Sequence, residues 1–272
     1  RDCLLSRGLG DVYKRQPKTL SGKTVADYVN THTDLSDELY REGKLVSDNY
    51  KNILRSQTNA AAIPADVTVR YGVTVRRANL RNLPTGEGLF FYASDRNFDA
   101  LQETALDPGE AVAILHTSTN GYFYYVQAYN YRGWLSKFDV AETDRSTWLR
   151  YAEPKNFLTV VAKDYTLKAD GAQVLFQQGA RLQLADKKAS AYTVKVPVRT
   201  KEGKLQEEKV VLAANASLHE GYLPYTTNNI IRSAFKFYDS VYGWGGLQQS
   251  VDCSSFISNA HRTVGIFLPR NA

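Results

Sequence analysis

The chain has 272 residues, and at roughly 150 residues per domain that length excludes a single small module. Hydrophobic residues at 43% and aromatics at 12% are enough for packed cores and exclude a disordered chain. Thirty-four basic against 28 acidic residues leave a net charge of +6 that is not gathered into an arm or stripe, so no nucleic-acid partner is expected.

Residues 1–16 (RDCLLSRGLGDVYKRQ) carry neither the apolar run of a signal peptide nor a helix or strand period. They read as a cloning or adapter scar, to be left out of fold reasoning, and the absence of Met fits a sequence that does not open on a start codon. Setting aside their four basic and two acidic residues leaves +4, and with Cys3 gone Cys253 is the thiol to explain. Two cysteines this far apart give neither a disulfide framework nor metal-ligand spacing. No stretch reaches the ~18 consecutive apolar residues of a membrane span.

From 17 to 63 the apolar residues Val25, Tyr28 and Val29, then Leu35 and Leu39, then Tyr50, Ile53 and Leu54 recur at three- and four-residue spacings. That predicts short helices packed on something else. From Val67 the texture becomes alternation, through Val67, Val69 and Tyr71, then Val73 and Val75, then Ala111, Ala113 and Leu115, the pattern of a β-rich domain. Thr119-Asn120-Gly121 predicts a hairpin, because Asn-Gly supplies the positive φ that a two-residue loop needs. Residues 148–154 read as a short linker. Alternation then resumes in FLTVVA, VLF, RLQLA, YTVKVPV and EKVVLA, with a turn at Lys201-Glu202-Gly203, a second small β domain. Each β region has the size of a small antiparallel barrel with closed or covered edges.

Past Pro224 the period turns helical. Thr226 and Thr227 can cap a helix with an apolar face of Ile230, Ile231, Ala234, Phe235, Tyr238 and Val241. Gly243 to Gly246 would end it. A second helix is expected from Cys253, with Asp252 as N-cap, Phe256, Ile257, Ala260 and Val264 inward, and Gly265 as its stop. A unit of this size, opening on two helices, reads as cut rather than complete.

The chemistry lies in YGWGGLQQSVDCSSFISNAHRTVGIFLPRNA (242–272). A cysteine in the first turn of a helix meets unpaired N–H groups and the positive end of the macrodipole, which favours thiolate over thiol. The Gly-rich turn before it would set Tyr242 and Trp244 as a wall beside the sulfur. The competing reading is a small buried hydrophobe. His261 lies eight residues along the same helix, about 12 Å of rise, and is too far to serve Cys253 as a base. His32, His116 and His219 read as surface or turn histidines.

The order Tyr-x-Trp-Gly-Gly, a short spacer, Asp-Cys-Ser-x-Phe and Gly-Ile-x-Leu-Pro-Arg resembles the start of the NlpC-type bacterial cell-wall cysteine endopeptidases, which are papain-like. Upstream, VRRANLRNLPT (75–85), LQETALDPGEAVAILHTS (101–118) and YNYRGWLS (129–136) resemble the SH3-like domain that precedes the catalytic domain in one branch, often with a second such domain and a helical lead-in. The resemblance implies a multidomain, mainly β chain. It would hold an N-terminal helical segment (17–63), SH3-like β-barrels at 64–145 and 150–222, and at 223–272 the helical start of an α+β papain-like domain.

The same resemblance assigns Cys253 as nucleophile, with its His and a third polar residue on strands beyond Ala272, so that this chain by itself lacks the base. Asp252, Ser254 and Tyr242 would hold the free amine of an L-Ala-γ-D-Glu-diamino acid stem peptide released from peptidoglycan. Glu103 and Tyr131 are candidates for the first SH3-like domain's share, and Trp134 reads as barrel core. Ser255 stands where many members have Gly, a departure that bears on substrate preference rather than on family. No cofactor or metal is implied, and the family location is the periplasm or cell envelope. Two alternatives stay open: a wall-binding SH3-like module with a degenerate catalytic domain, and a related amidase.

Overall fold

The computed structural model describes residues 17–31, 35–247 and 249–271; the expected scar with Cys3, and His32, lie outside them. The lead-in forms strand β1 (Thr19–Ser21), helix α1 (Gly22–Thr31), a small hairpin of β2 (Tyr40–Arg41) and β3 (Lys44–Leu45), and helix α2 (Asp48–Ser56). Helices this short are marginal alone, so burial of one stripe has to fix them. Val25 and Val29 of α1 enter a core with Val67, Val73 and Trp134. Leu54 of α2 joins Leu35, Leu39, Leu83 and Leu89, while its neighbour Ile53 faces solvent.

After β4 (Asp66–Thr68), which pairs with β1, seven strands build one antiparallel sheet: β5 (Arg70–Thr74), β6 (Ala78–Arg81), β7 (Gln102–Leu106), β8 (Ala111–Thr117), β9 (Phe123–Gln127), β10 (Arg132–Ser136) and β11 (Val140–Thr143). Their order is β11-β5-β8-β9-β10-β6-β7. Along β8 successive side chains go to opposite faces, Ala111, Ala113 and Leu115 to the core that holds α1, Val112 and Ile114 to the other. Trp134 is fully buried, as expected. The sheet is not a closed barrel, since β11 and β7 are its ends and do not pair. The β11 end is covered instead: Glu142 N–H donates to Gly203 O at 2.8 Å, and Arg199 Nε to Val140 O at 3.1 Å.

Two local expectations are corrected. The hairpin at Asn120-Gly121 exists, but its loop spans four residues: Ser118 N–H donates to Phe123 O at 2.9 Å, and only Gly121 has positive φ, +70°. Asn120 instead accepts the Tyr122 N–H at its side-chain oxygen, so it closes the turn without entering the left-handed region. Residues 148–154 are not a linker. Helix α3 (Arg145–Ala152) starts at Asp144, which accepts the Thr147 N–H at 2.9 Å, and Trp148 is wholly buried with its Nε1 donating to Val112 O. The polar run at 142–147 hides a cap whose helix buries only Trp148, Tyr151 and Ala152.

The second β region contains β12 (Phe157–Val160), β13 (Asp164–Ala169), β14 (Ala172–Gln177), β15 (Arg181–Lys188), β16 (Ala191–Arg199), β17 (Leu205–Ala213) and β18 (Leu218–Glu220). Five of them form an open sheet, β17-β16-β15-β12-β18, with β13 and β14 as a separate hairpin. Leu158, Val160, Phe176, Leu182, Val194 and Val196 are among its buried residues.

Helices α4 (Thr227–Phe235) and α5 (Cys253–Arg262) complete the order, α4 capped by Thr226 as expected. Helix α4 ends at Phe235, before Tyr238 and Val241, and most of the expected apolar face is exposed. Phe235 is 67% exposed, Tyr238 80% and Val241 81%, and Ile231 and, on α5, Ile257 are also exposed. The inward side is polar: Ser233 bonds Thr263 Oγ1 at 3.0 Å and takes Gln178 Nε2 on its carbonyl, with Phe237 buried beside it. An apolar period identifies a stripe, not the element that covers it.

A buried ionic cluster ties these parts together. Asp107, in the β7–β8 turn, accepts from Arg77 Nη1 at 2.6 Å and Gln177 N at 2.9 Å on one oxygen and from Arg262 Nη1 at 2.9 Å on the other. Arg262 also donates to Glu110 at 2.6 Å. The first sheet, the β13–β14 hairpin and α5 therefore meet on one carboxylate. Gly179 allows the approach, since a Cβ there would lie 2.5 Å from the Arg262 Cβ. Removing one partner of a buried pair strands the other charges, so Asp107→Ala should cost about 3–5 kcal/mol in urea unfolding. A loss below about 1 kcal/mol would show that the cluster is incidental.

Asp139 gives a pH prediction of opposite sense. Burial pushes its carboxyl up to about 6, against the pull of Arg76 at 3.4 Å. A group that binds its proton more tightly when folded stabilises the fold at low pH, and that contribution is lost as pH rises from 3.8 to about 6. Asp139→Asn should therefore raise the melting temperature at pH 7.5 and change it little at pH 3.5. An equal gain at both pH values would reject the assignment.

Candidate active site

Cys253 is the first residue of α5, exposed and with a free thiol. Its position follows from Asp252, whose extended backbone (φ −97°, ψ −176°) ends the preceding segment and whose carboxylate accepts the Ser255 N–H at 2.9 Å. Ser255 returns the bond, its Oγ accepting Asp252 N–H at 2.9 Å, so the two close a capping box. Ser255 thus fixes the start of α5.

The other Asp252 contacts come from outside α5. Arg270 grips the carboxylate with both terminal nitrogens, Nη1 to Oδ1 at 3.1 Å and Nη2 to Oδ2 at 2.5 Å. Gly245 N–H donates to Oδ2 at 3.0 Å. Burial pushes the carboxyl up, but the Ser255 N–H and the Arg270 guanidinium outweigh it and hold it below its ordinary value. Arg270 Nη1 also bonds Ser254 Oγ, and its Nε donates to the Glu103 carbonyl at 3.0 Å. Asp252 and Ser254 are therefore brought together, and Arg270 joins them. Sequence reasoning gave Arg270 no role, although it closes the Gly-Ile-x-Leu-Pro-Arg motif.

Tyr242 bridges Val251 across the base of the Gly-rich loop, and its phenol lies near enough to Cys253 and Asp252 to be influenced by both. Desolvation first, then Cys253 and Asp252, raise this phenol above its ordinary value. Trp244, expected as a wall beside the sulfur, turns instead to the first sheet. Its Nε1 donates to Gln102 O at 2.7 Å, Gln102 Nε2 donates back to Trp244 O at 3.0 Å, and its ring lies 4.1 Å from that of Phe98. Gly245 (φ +67°) is required here, because a Cβ would lie 2.3 Å from Gln102 Nε2.

Glu103 and Tyr131 reach the same place from the first sheet. Tyr131 is pushed up to about 12, by burial and then by Glu103, and its hydroxyl bonds Asn271 Nδ2 at 3.3 Å. The three described histidines make their contacts away from the thiol. His261 bonds Ile257 O on its own helix, His116 bonds Asn59 O, and His219 bonds Gly221 O. Among the described residues, no three His, Cys, Asp or Glu side chains gather as a metal site, and no helix is long and apolar enough to cross a membrane. An exposed thiol at a helix N-terminus, near a phenol and a buried carboxylate–guanidinium pair, is a group that can act as a nucleophile.

Residues 89–136 match the family model of the SH3 domain (SH3b1 type). A solved structure of an NlpC/P60 endopeptidase from Photobacterium damselae subsp. piscicida aligns with the whole of this chain at a TM-score of 0.72 and 21% identity. This chain spans 65% of its length. A second structure, an NlpC/P60 family protein from Bacillus cereus, aligns at a TM-score of 0.49 and 16% identity over 62% of this chain and 57% of its own. No curated protein matches. The mainly β architecture, the SH3 match and the full-length structural alignment together give this chain the fold of an NlpC/P60 endopeptidase that includes an SH3 domain of the SH3b1 type.

Proposed function

We propose that this chain belongs to a cell-wall hydrolase of the bacterial envelope, a cysteine endopeptidase in which the two β regions are SH3-like units and residues 223–272 open a papain-like domain. The bond we assign is that between γ-D-glutamate and the diamino acid of peptidoglycan stem peptides with a free N-terminal L-Ala. The observation that carries this reading is the exposed Cys253 thiol at the start of α5, with the Tyr242 hydroxyl beside it and Asp252 and Ser254 joined through Arg270.

In this mechanism the Cys253 sulfur attacks the γ-glutamyl carbonyl carbon. The Cys253 N–H and the Tyr242 hydroxyl stand where the oxyanion develops. Collapse breaks the C–N bond, and the amine of the diamino acid leaves with a proton. Water then attacks the thioester, releasing the L-Ala-D-Glu acid and the thiol. The ammonium of L-Ala meets Ser254 and Asp252, and because Arg270 already shares that carboxylate, Glu103 and Tyr131 complete its partners. A buried ammonium needs such acceptors. The exposed apolar side chains Ile231 and Phe235 on α4, and Tyr238 and Val241 after it, fit a unit with more structure to pack on it.

Among the described residues no imidazole lies beside Cys253, so in this reading the general base comes from sequence after Ala272. The 272-residue chain, incubated with L-Ala-γ-D-Glu-meso-diaminopimelate, should release no dipeptide. The chain extended to the end of its gene should release it, and Cys253→Ala should abolish that. Release by the short chain that vanishes in Cys253→Ala would refute the missing base. Silence of the extended chain, with wall binding retained, would favour a binding module.

Glu103 supplies a second test. In the extended chain Glu103→Gln should raise KM for the amine-terminated peptide about tenfold, the scale of one charge-assisted hydrogen bond, with kcat held within about twofold. An N-acetylated peptide should show no such change. Equal effects on both peptides would remove Glu103 from amine recognition.

A further inference from the structure

Arg77 lies in the turn between β5 and β6 of the first sheet, far in sequence from Cys253, and is nearly buried. Its guanidinium uses every edge. Nη1 pairs with Asp107 at 2.6 Å and Nη2 donates to Gln177 Oε1 at 2.6 Å. Nε reaches the carbonyls of Gly246 and Leu247, each at 3.2 Å, and Nη2 also bonds Gly246 O.

Those carbonyls belong to the loop that carries Tyr242 to the sulfur. The loop is pinched at its base by Gly243 N–H to Val251 O at 3.1 Å and by the Tyr242–Val251 bridge. Its two legs touch, since a Cβ on Gly243 would lie 1.9 Å from Ser250 Oγ. Gln177, itself bonded to Arg77, holds the second leg by donating to Ser250 O at 2.8 Å. Gly246 (φ +66°) presents its carbonyl from a conformation that few other residues adopt. A planar five-donor fork can satisfy an acid, an amide and two carbonyls at once, which a lysine ammonium cannot match in geometry.

We propose that Arg77 is a positioning residue: by clamping the Gly246 and Leu247 carbonyls against the first sheet and Gln177, it sets Tyr242 at the Cys253 thiol. The sheet bearing the SH3 match is then part of the reactive centre's construction and not only a neighbour or wall anchor. The catalytic meaning of this clamp rests on Cys253 being the nucleophile. The clamp itself is a property of the folded chain and can be measured without turnover.

The test is a double-mutant cycle on the 272-residue chain, read as the rate of Cys253 alkylation by iodoacetamide at pH 7, with thermal melting of every variant. Cys3→Ser in all variants leaves one thiol to label. Tyr242→Phe should slow labelling about threefold or more in the native background, the scale of one hydrogen bond. In Arg77→Gln, and in Arg77→Lys, which keeps a cation against Asp107 if the glutamine variant does not fold, Tyr242→Phe should change the rate by less than about 1.5-fold, a coupling that independent sites do not give. Arg76→Gln, a change at an exposed neighbour, should leave the Tyr242 effect intact.

A Tyr242 effect that survives in a folded Arg77 variant would overturn the proposal, and so would a Tyr242→Phe rate equal to the native one. Lost coupling in Arg76→Gln as well would reduce Arg77 to general stability. If the extended chain proves not to be a peptidase, the coupling still stands or falls by these rates alone.

Discussion

The carboxylate of Asp107 is the constraint on which the rest of this structure depends. It is buried and receives two guanidinium groups and a backbone N–H from three separate parts of the chain. Such an arrangement holds only when complete, because the charges are expensive to desolvate and the missing partner of any one of them leaves the others uncompensated. The first sheet, the β13–β14 hairpin and α5 are therefore held at one relative position by polar contacts with fixed geometry, where a purely apolar interface could slide.

The reactive region inherits that precision. Cys253 is fixed from below by a capping box, from one side by Tyr242, and through Asp252 by Arg270. Of the groups that hold these residues, Gln102, Glu103 and Arg77 come from the first sheet and Gln177 from the second β region. The helix supplies the thiol, and the sheets supply the walls.

Much of the local structure was legible in the residues. Alternation marked β8 and β9, Asp252 and Thr226 marked helix starts, and the motif from Tyr242 onward located the thiol. What failed shares a cause. The helical spacing gave α4 an apolar face, but the protein buries the Ser233 side, where hydrogen bonds to Thr263 and Gln178 hold it. The segment 148–154 was read as a linker between two alternating regions, yet Asp144 caps a helix whose Trp148 fills the core beneath β5 and β8. In both cases the deciding partner lies elsewhere in the chain.

By itself, then, the sequence determined how most short elements begin and end, because capping, alternation and turn formation act within a few residues. It marked Cys253, Asp252, Ser254 and Tyr242 in one motif, and it contained Arg270 without a reason to single it out. Only the tertiary structure decided that Arg270 neutralises Asp252, that Trp244 faces Gln102 and not the sulfur, and that Arg77 reaches carbonyls 169 residues away. Long-range polar pairing leaves no period in a sequence, since either partner at its own position is an ordinary charged residue until folding places the other beside it.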